Sequence, residues 1–102
     1  MYRSTTPELI FHIKNTDFDM TDIEICHITV ESADYAHMIV YENPEIDTEK
    51  KTIKQFMSQA ETKAFNVGGI MTQLKVKLNN GSVICSPIIH TDMKEILEVD
   101  EL

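Results

Sequence analysis

The chain has no tryptophan, one arginine, three glycines, three prolines and two cysteines in 102 residues. Each scarcity removes a class of function. Without Trp, and with Tyr2, Tyr35 and Tyr41 scattered, the aromatic platforms on which a β-domain would stack sugars are missing. The single arginine, Arg3, and eight lysines face 17 acids, for a net charge of −8. Nucleic-acid affinity comes mainly from neutralising phosphates with Lys and Arg, and anionic membranes attract basic segments, so neither partner is expected. Cys26 and Cys85 are too few for a disulfide framework and fit free thiols in a reducing compartment. No window approaches the ~18 apolar residues of a membrane-spanning helix. Arg3, Ser4, Thr5, Thr6 and Glu8 interrupt any signal-peptide stretch, which predicts a cytoplasmic location. The closing "VDEL" resembles an ER-retention address, which has no meaning outside the secretory route. Gly68-Gly69 lacks a P-loop or dinucleotide pattern.

What is present is alternation. Hydrophobic residues make up 42% of the chain, enough for one modest core in a single domain, residues 1–102. Leu9, Phe11 and Ile13 share one face of a first strand, with Glu8, His12 and Lys14 on the other. Residues 22–32 and 37–42 read as a second and third strand, the latter stopped by Asn43-Pro44. In 70–78, Ile70, Thr72, Leu74, Val76 and Leu78 point inward while Gln73, Lys75 and Lys77 face water. Asn80-Gly81 then predicts a type I′ turn and a returning strand, a hairpin over 70–90. That role also accounts for the glycosylation sequon Asn80-Gly81-Ser82.

The middle is open to two readings. Ile53, Phe56, Met57, Ala60 and Ala64 recur at helical spacing, consistent with one helix over 49–64. Ser58 followed by Glu61 is instead a capping-box pattern, which starts a short helix at 59–65 and leaves 52–57 as a strand. The second reading is favoured. Six short strands with hairpin connections point to a small antiparallel β-sandwich, immunoglobulin-like, with one short helix. The acidic stretch 92–102 is expected to form one helical turn before a frayed end.

Candidate chemistry is sparse. Cys26, His27, Cys85 and His90 offer a Cys₂His₂ set, but adjacent Cys26 and His27 point to opposite faces of a strand, as do Cys85 and His90 at an odd spacing. They are expected to be buried thiols and surface histidines. Cys–His catalysis with His12, His37 or His90 would need an acidified thiol, and Cys85 lies inside a strand. Asp17, Asp19, Asp22 and Glu24 could gather around Ca²⁺, yet no glycine provides the sharp turn of a calcium loop. No residue is assigned a catalytic, cofactor or metal role, and no cofactor is expected.

Three blocks carry a resemblance. "RSTTPELIFHI", "SQAETKAF" (58–65) and "NNGSVICSPII" (79–89) are similar, in order, to patterns in small proteins encoded by prophages of Gram-positive gut bacteria. Those open with Arg-Gly-Thr-Thr-Pro, continue with a segment like Thr-Gln-Glu-Glu-Thr ending in Phe, and close with Asn or Asp before Gly, then Ala-Ser-Asn-Ile-Ile. More loosely, the group resembles the N-terminal β-sandwich domain of phage baseplate upper proteins. The chain departs at Ser4 (for Gly), at Pro87 (for Asn) and in the ending "EILEVDEL". Pro87 removes a ladder donor and predicts an edge or a bulge. The resemblance implies a non-enzymatic structural or assembly protein of a phage tail or baseplate. It would act through self-association or contact with other phage proteins, in the bacterial host cytoplasm or in the virion. The alternative is a small ligand- or metal-binding module, or an accessory regulator of a host protein.

Overall fold

In the computed structural model, which describes residues 1–14 and 18–102, two antiparallel sheets stack into a small β-sandwich with one short helix. The smaller sheet has the order β1 (Glu8–His12), β5 (Thr52–Phe56), β4 (Glu45–Asp47). The larger runs β3 (Met38–Tyr41), β2 (Ile23–Ser32), β6 (Gly68–Leu78), and then β7 (Val83–Cys85) and β8 (Ile89–Met93), which share the far side of β6. A 3-10 turn, Met20–Asp22, precedes β2, and helix α1 (Gln59–Lys63) joins the two sheets.

Alternation builds the core. Phe11 of β1 and Ile53 of β5 stand opposite each other in the small sheet and face Cys26, Ile28 and Val30 of β2 and Ile70, Leu74, Val76 and Leu78 of β6. Met57, Phe65 and Met93 close the ends, each 0–1% exposed. The expected inward set of β6 is buried throughout, Thr72 included, because a two-residue period puts every second side chain on one face.

The strand-then-helix reading of the middle holds. β5 ends at Phe56, and Ser58 caps α1 with both halves of the capping box: Glu61 N–H donates to Ser58 Oγ (3.1 Å) and Ser58 N–H to Glu61 Oε1 (2.8 Å).

Three details differ from expectation. The described residues form eight strands rather than six. β4 follows Pro44 and is too short for alternation to show, and the returning arm of the hairpin is split into β7 and β8. The turn is not type I′, because Gly81 alone has positive φ there (+90°) and Asn80 does not. Gly81 N–H bonds Leu78 C=O (2.9 Å) and Leu78 N–H bonds Ser82 C=O (2.8 Å), closing a three-residue loop, 79–81, with glycine at its left-handed position. No helical turn forms at 92–98. Met93 is 1% exposed opposite Gly68, and Lys94 is held extended by the N-terminal residues: its N–H bonds Met1 C=O (2.7 Å) and its C=O accepts from Arg3 N–H (3.2 Å).

Candidate functional site

Sequence spacing put Cys85 and His90 on opposite faces, and the structure corrects this. Cys85 pairs with Lys75 and His90 with Met71, so both lie on the outer face of the large sheet. The cause is a bulge. Between the pairs Lys75↔Cys85 and Thr72↔Ile89, Gln73 and Leu74 of β6 oppose Ser86, Pro87 and Ile88. Ser86 carries the ladder across the break: its N–H bonds Leu74 C=O (2.8 Å), its Oγ accepts from Leu74 N–H (2.9 Å), and its C=O accepts from Gln73 Nε2 (2.9 Å). Pro87, which has no N–H to contribute, sits within the bulge, where the ladder is already broken.

The remaining candidates do not converge. Cys26 points into the core, and burial pushes its thiol up to about 11, away from the thiolate that nucleophilic or ligand chemistry needs. His27 lies on the opposite face. Asp17 lies outside the described residues. Asp19 is occupied as the cap of the 3-10 turn: the Thr21 N–H (3.0 Å) and then the Thr21 hydroxyl (2.9 Å) bond its Oδ1 and hold its carboxyl below the usual range. No group of three potential metal ligands forms among the described residues. None of the described helices is long and apolar enough to cross a membrane.

Buried polar groups gather instead where the N-terminal segment meets α1. Thr62, 0% exposed, accepts Thr5 N–H (3.0 Å) and donates to Thr5 C=O (2.8 Å). Arg3 Nη2 reaches Lys63 C=O (2.9 Å), Gln59 Nε2 reaches Ser4 C=O (3.1 Å), and Met57 N–H bonds Pro7 C=O (3.0 Å). The stretches "RSTTP" and "SQAET", distant in sequence, are therefore one structural unit, with Ser4 at φ +55°. Beside it His37 meets Phe65 edge-on (4.6 Å between centroids), and burial, reinforced by the Glu61 carboxylate, pushes the Tyr41 phenol up. These contacts clamp the sandwich.

What the large sheet does present is an edge. From Ser82 to Thr91 there is no Asp, Glu, Lys or Arg, in a chain that is 25% charged. Ile84 and Ile89 face inward, opposite Val76 and Thr72, yet remain 38% and 49% exposed because the smaller sheet does not reach them. Hydrogen-bonding parity shows which backbone groups are open. Leu78↔Ser82 is a bonded pair and such pairs alternate, so the N–H and C=O of Val83 and Cys85 point away from β6. In β8 the outward groups are those of His90, Asp92 and Lys94. The last two are partly engaged, Asp92 C=O by the Met1 amino group (2.7 Å). The outer face beside β7 forms a cleft of about 260 Å³ lined by Ile25, His27, Lys75, Lys77 and Val83, a basic spot on an acidic protein. Nothing in the residue types of 82–91 signals chemistry. The signal that could have found the edge is the run itself, apolar and free of charge beside a predicted bulge.

No protein-family model matches the chain, and no curated protein or solved structure matches it.

Proposed function

We propose that this chain is a non-enzymatic assembly domain that works through protein–protein contact at the β7–β8 edge. The observation that carries the reading is the open backbone of Val83 and Cys85 in a strand with no charged side chain from Ser82 to Thr91. Open backbone groups on an uncharged edge can accept another strand, and β7 offers three residues for it, Val83–Cys85, ahead of the break at Ser86 and Pro87. Glu8 on β1 and Glu45 and Asp47 on β4 put charges on the edges of the small sheet, whereas β3, the other edge of the large sheet, is uncharged like β7. The phage tail or baseplate setting is what the sequence resemblance implies, and a small domain with one adhesive edge suits a repeated assembly.

The test is light scattering across a concentration series, on the chain alone and with the products of neighbouring genes. Association that disappears in Ile88→Lys/Ile89→Lys, a variant altered only at half-exposed positions, is the expected result. A monomer at every concentration, with no partner among those products, overturns the reading.

A further inference from the structure

We propose that the β7 edge of one copy receives the segment Leu97–Asp100 of a second copy as an added strand. The inference rests on the assembly reading above and names its partner. The acceptor has two sides of different chemistry. Inward lie the uncovered Ile84 and Ile89, and outward lie Lys75, Lys77 and His27 beyond Val83. A strand laid along Val83–Cys85 therefore has to alternate, with apolar side chains inward and acidic ones outward.

Residues 97–100, Leu-Glu-Val-Asp, have that alternation. They are also available. Residues 95–102 form no regular structure; Val99 is half-buried, and two hydrogen bonds tie the end down, Asp100 C=O accepting from Ser4 Oγ at 3.4 Å and Leu102 N–H donating to Gln59 Oε1 at 3.1 Å. Leu97 is fully exposed. An added strand satisfies backbone groups on both sides and covers apolar surface that neither copy buries alone. The charges match as well: two copies at −8 repel over most of their surfaces, whereas Glu98 and Asp100 meeting Lys75 and Lys77 attract. Donor and acceptor are different surfaces, so the contact is head-to-tail. It closes into a ring or continues as a filament rather than stopping at a two-fold pair.

Complementation of two defective variants provides the test. A donor variant, Leu97→Lys/Val99→Lys, keeps the edge, and an acceptor variant, Lys75→Glu/Lys77→Glu, keeps the segment. All four positions lie outside the buried core, and a thermal melt confirms folding of each. Each variant alone should be monomeric, and their mixture should give a one-to-one heterodimer and nothing larger. The acetylated peptide EILEVDEL, titrated into ¹⁵N-labelled protein, should shift the amides of 75–77 and 83–85. It should bind at least tenfold more weakly in 0.5 M salt, and the charge-reversed peptide KILKVKKL should not bind. If the wild type assembles but the mixed variants do not pair, the donor segment is wrong while the assembly reading stands. If the wild type is monomeric and the peptide causes no shift at β7, both fall.

Discussion

Ser4, Tyr35 and Lys51 are the described non-glycine residues held at positive φ, between +54° and +61°. An L-residue pays about 1 kcal/mol for that conformation, and a β-branched one more. Ser4 is also 5% exposed, so the strain sits inside the N-terminal clamp. Ser4→Gly should leave stability unchanged or raise it by up to about 1 kcal/mol, whereas Ser4→Val should lower it by about 1–2 kcal/mol, both read from urea midpoints. Cys26 gives a pH prediction. Its thiol ionises at 9.0 as a free group and at about 11 in the fold. The unfolded chain therefore loses this proton first, so the contribution is intact below pH 9 and fades as pH rises towards 11, on the order of 2 kcal/mol. Tyr41, raised from 10.0, adds its own loss only above that value. A stability profile should thus begin to fall at pH 9 in the wild type and stay flat to pH 10 in Cys26→Ala. Identical slopes would show that the buried thiol is not the titrating group.

Among the elements, α1 holds the N-terminal segment, through Thr62 on Thr5, Gln59 on Ser4 and Lys63 C=O on Arg3. Five residues cannot hold a helix by propensity, so its caps and tertiary bonds must. Ser58→Ala removes half the capping box and should cost about 1 kcal/mol. Thr62→Val keeps shape and volume but orphans the buried N–H of Thr5, and should cost about 1–3 kcal/mol, with faster hydrogen exchange over residues 3–7. If that variant melts with the wild type, the N-terminal segment does not depend on the clamp. This element was legible in the sequence because Ser58 and Glu61 act locally, across one turn. So was β6, whose inward residues announce themselves at every second position. The side-to-side logic of β8 was not legible. Its faces depend on where Ser86 and Pro87 break the ladder, which is decided by pairing with Gln73 and Leu74, partners more than ten residues away. The turn type was missed for a related reason: Asn-Gly suits both a two-residue and a three-residue loop, and the register of β7 on β6 selects the longer one. The edge as a candidate site was visible only as an absence of charge, which composition averages out.

Viewed whole, the molecule hangs on β6, which pairs with β2 along nine positions and with β7 and β8 on its other side. The long β2–β6 ladder makes the body elongated, 46 × 26 × 20 Å. Its radius of gyration of 14.6 Å exceeds the roughly 13 Å of a compact chain this size. Opening β6 undoes the large sheet, so the amides of His27, Thr29, Gln73 and Lys75, which join β2 to β6, should exchange slowest, at the rate of global unfolding, and those of 95–102 fastest. Slow exchange centred on β1 and β5 instead would move the stable nucleus to the small sheet. The bulge at Ser86–Pro87 has an effect on length tolerance. A β-ladder has a reading frame of two, and this break is a one-residue frameshift that β8 requires in order to seat Met93 rather than Asp92 in the core. Deleting Pro87 alone would leave Ser86 and Ile88 opposite Leu74 and Gln73, an unbroken ladder in which Ile89, His90 and Met93 keep their partners Thr72, Met71 and Gly68. A second deletion nearby would throw the frame out, presenting Asp92 to the interior and Met93 to water. Loss of Pro87 alone should therefore be tolerated, as followed by the thermal transition, while loss of Pro87 together with Ile88 should unfold the domain.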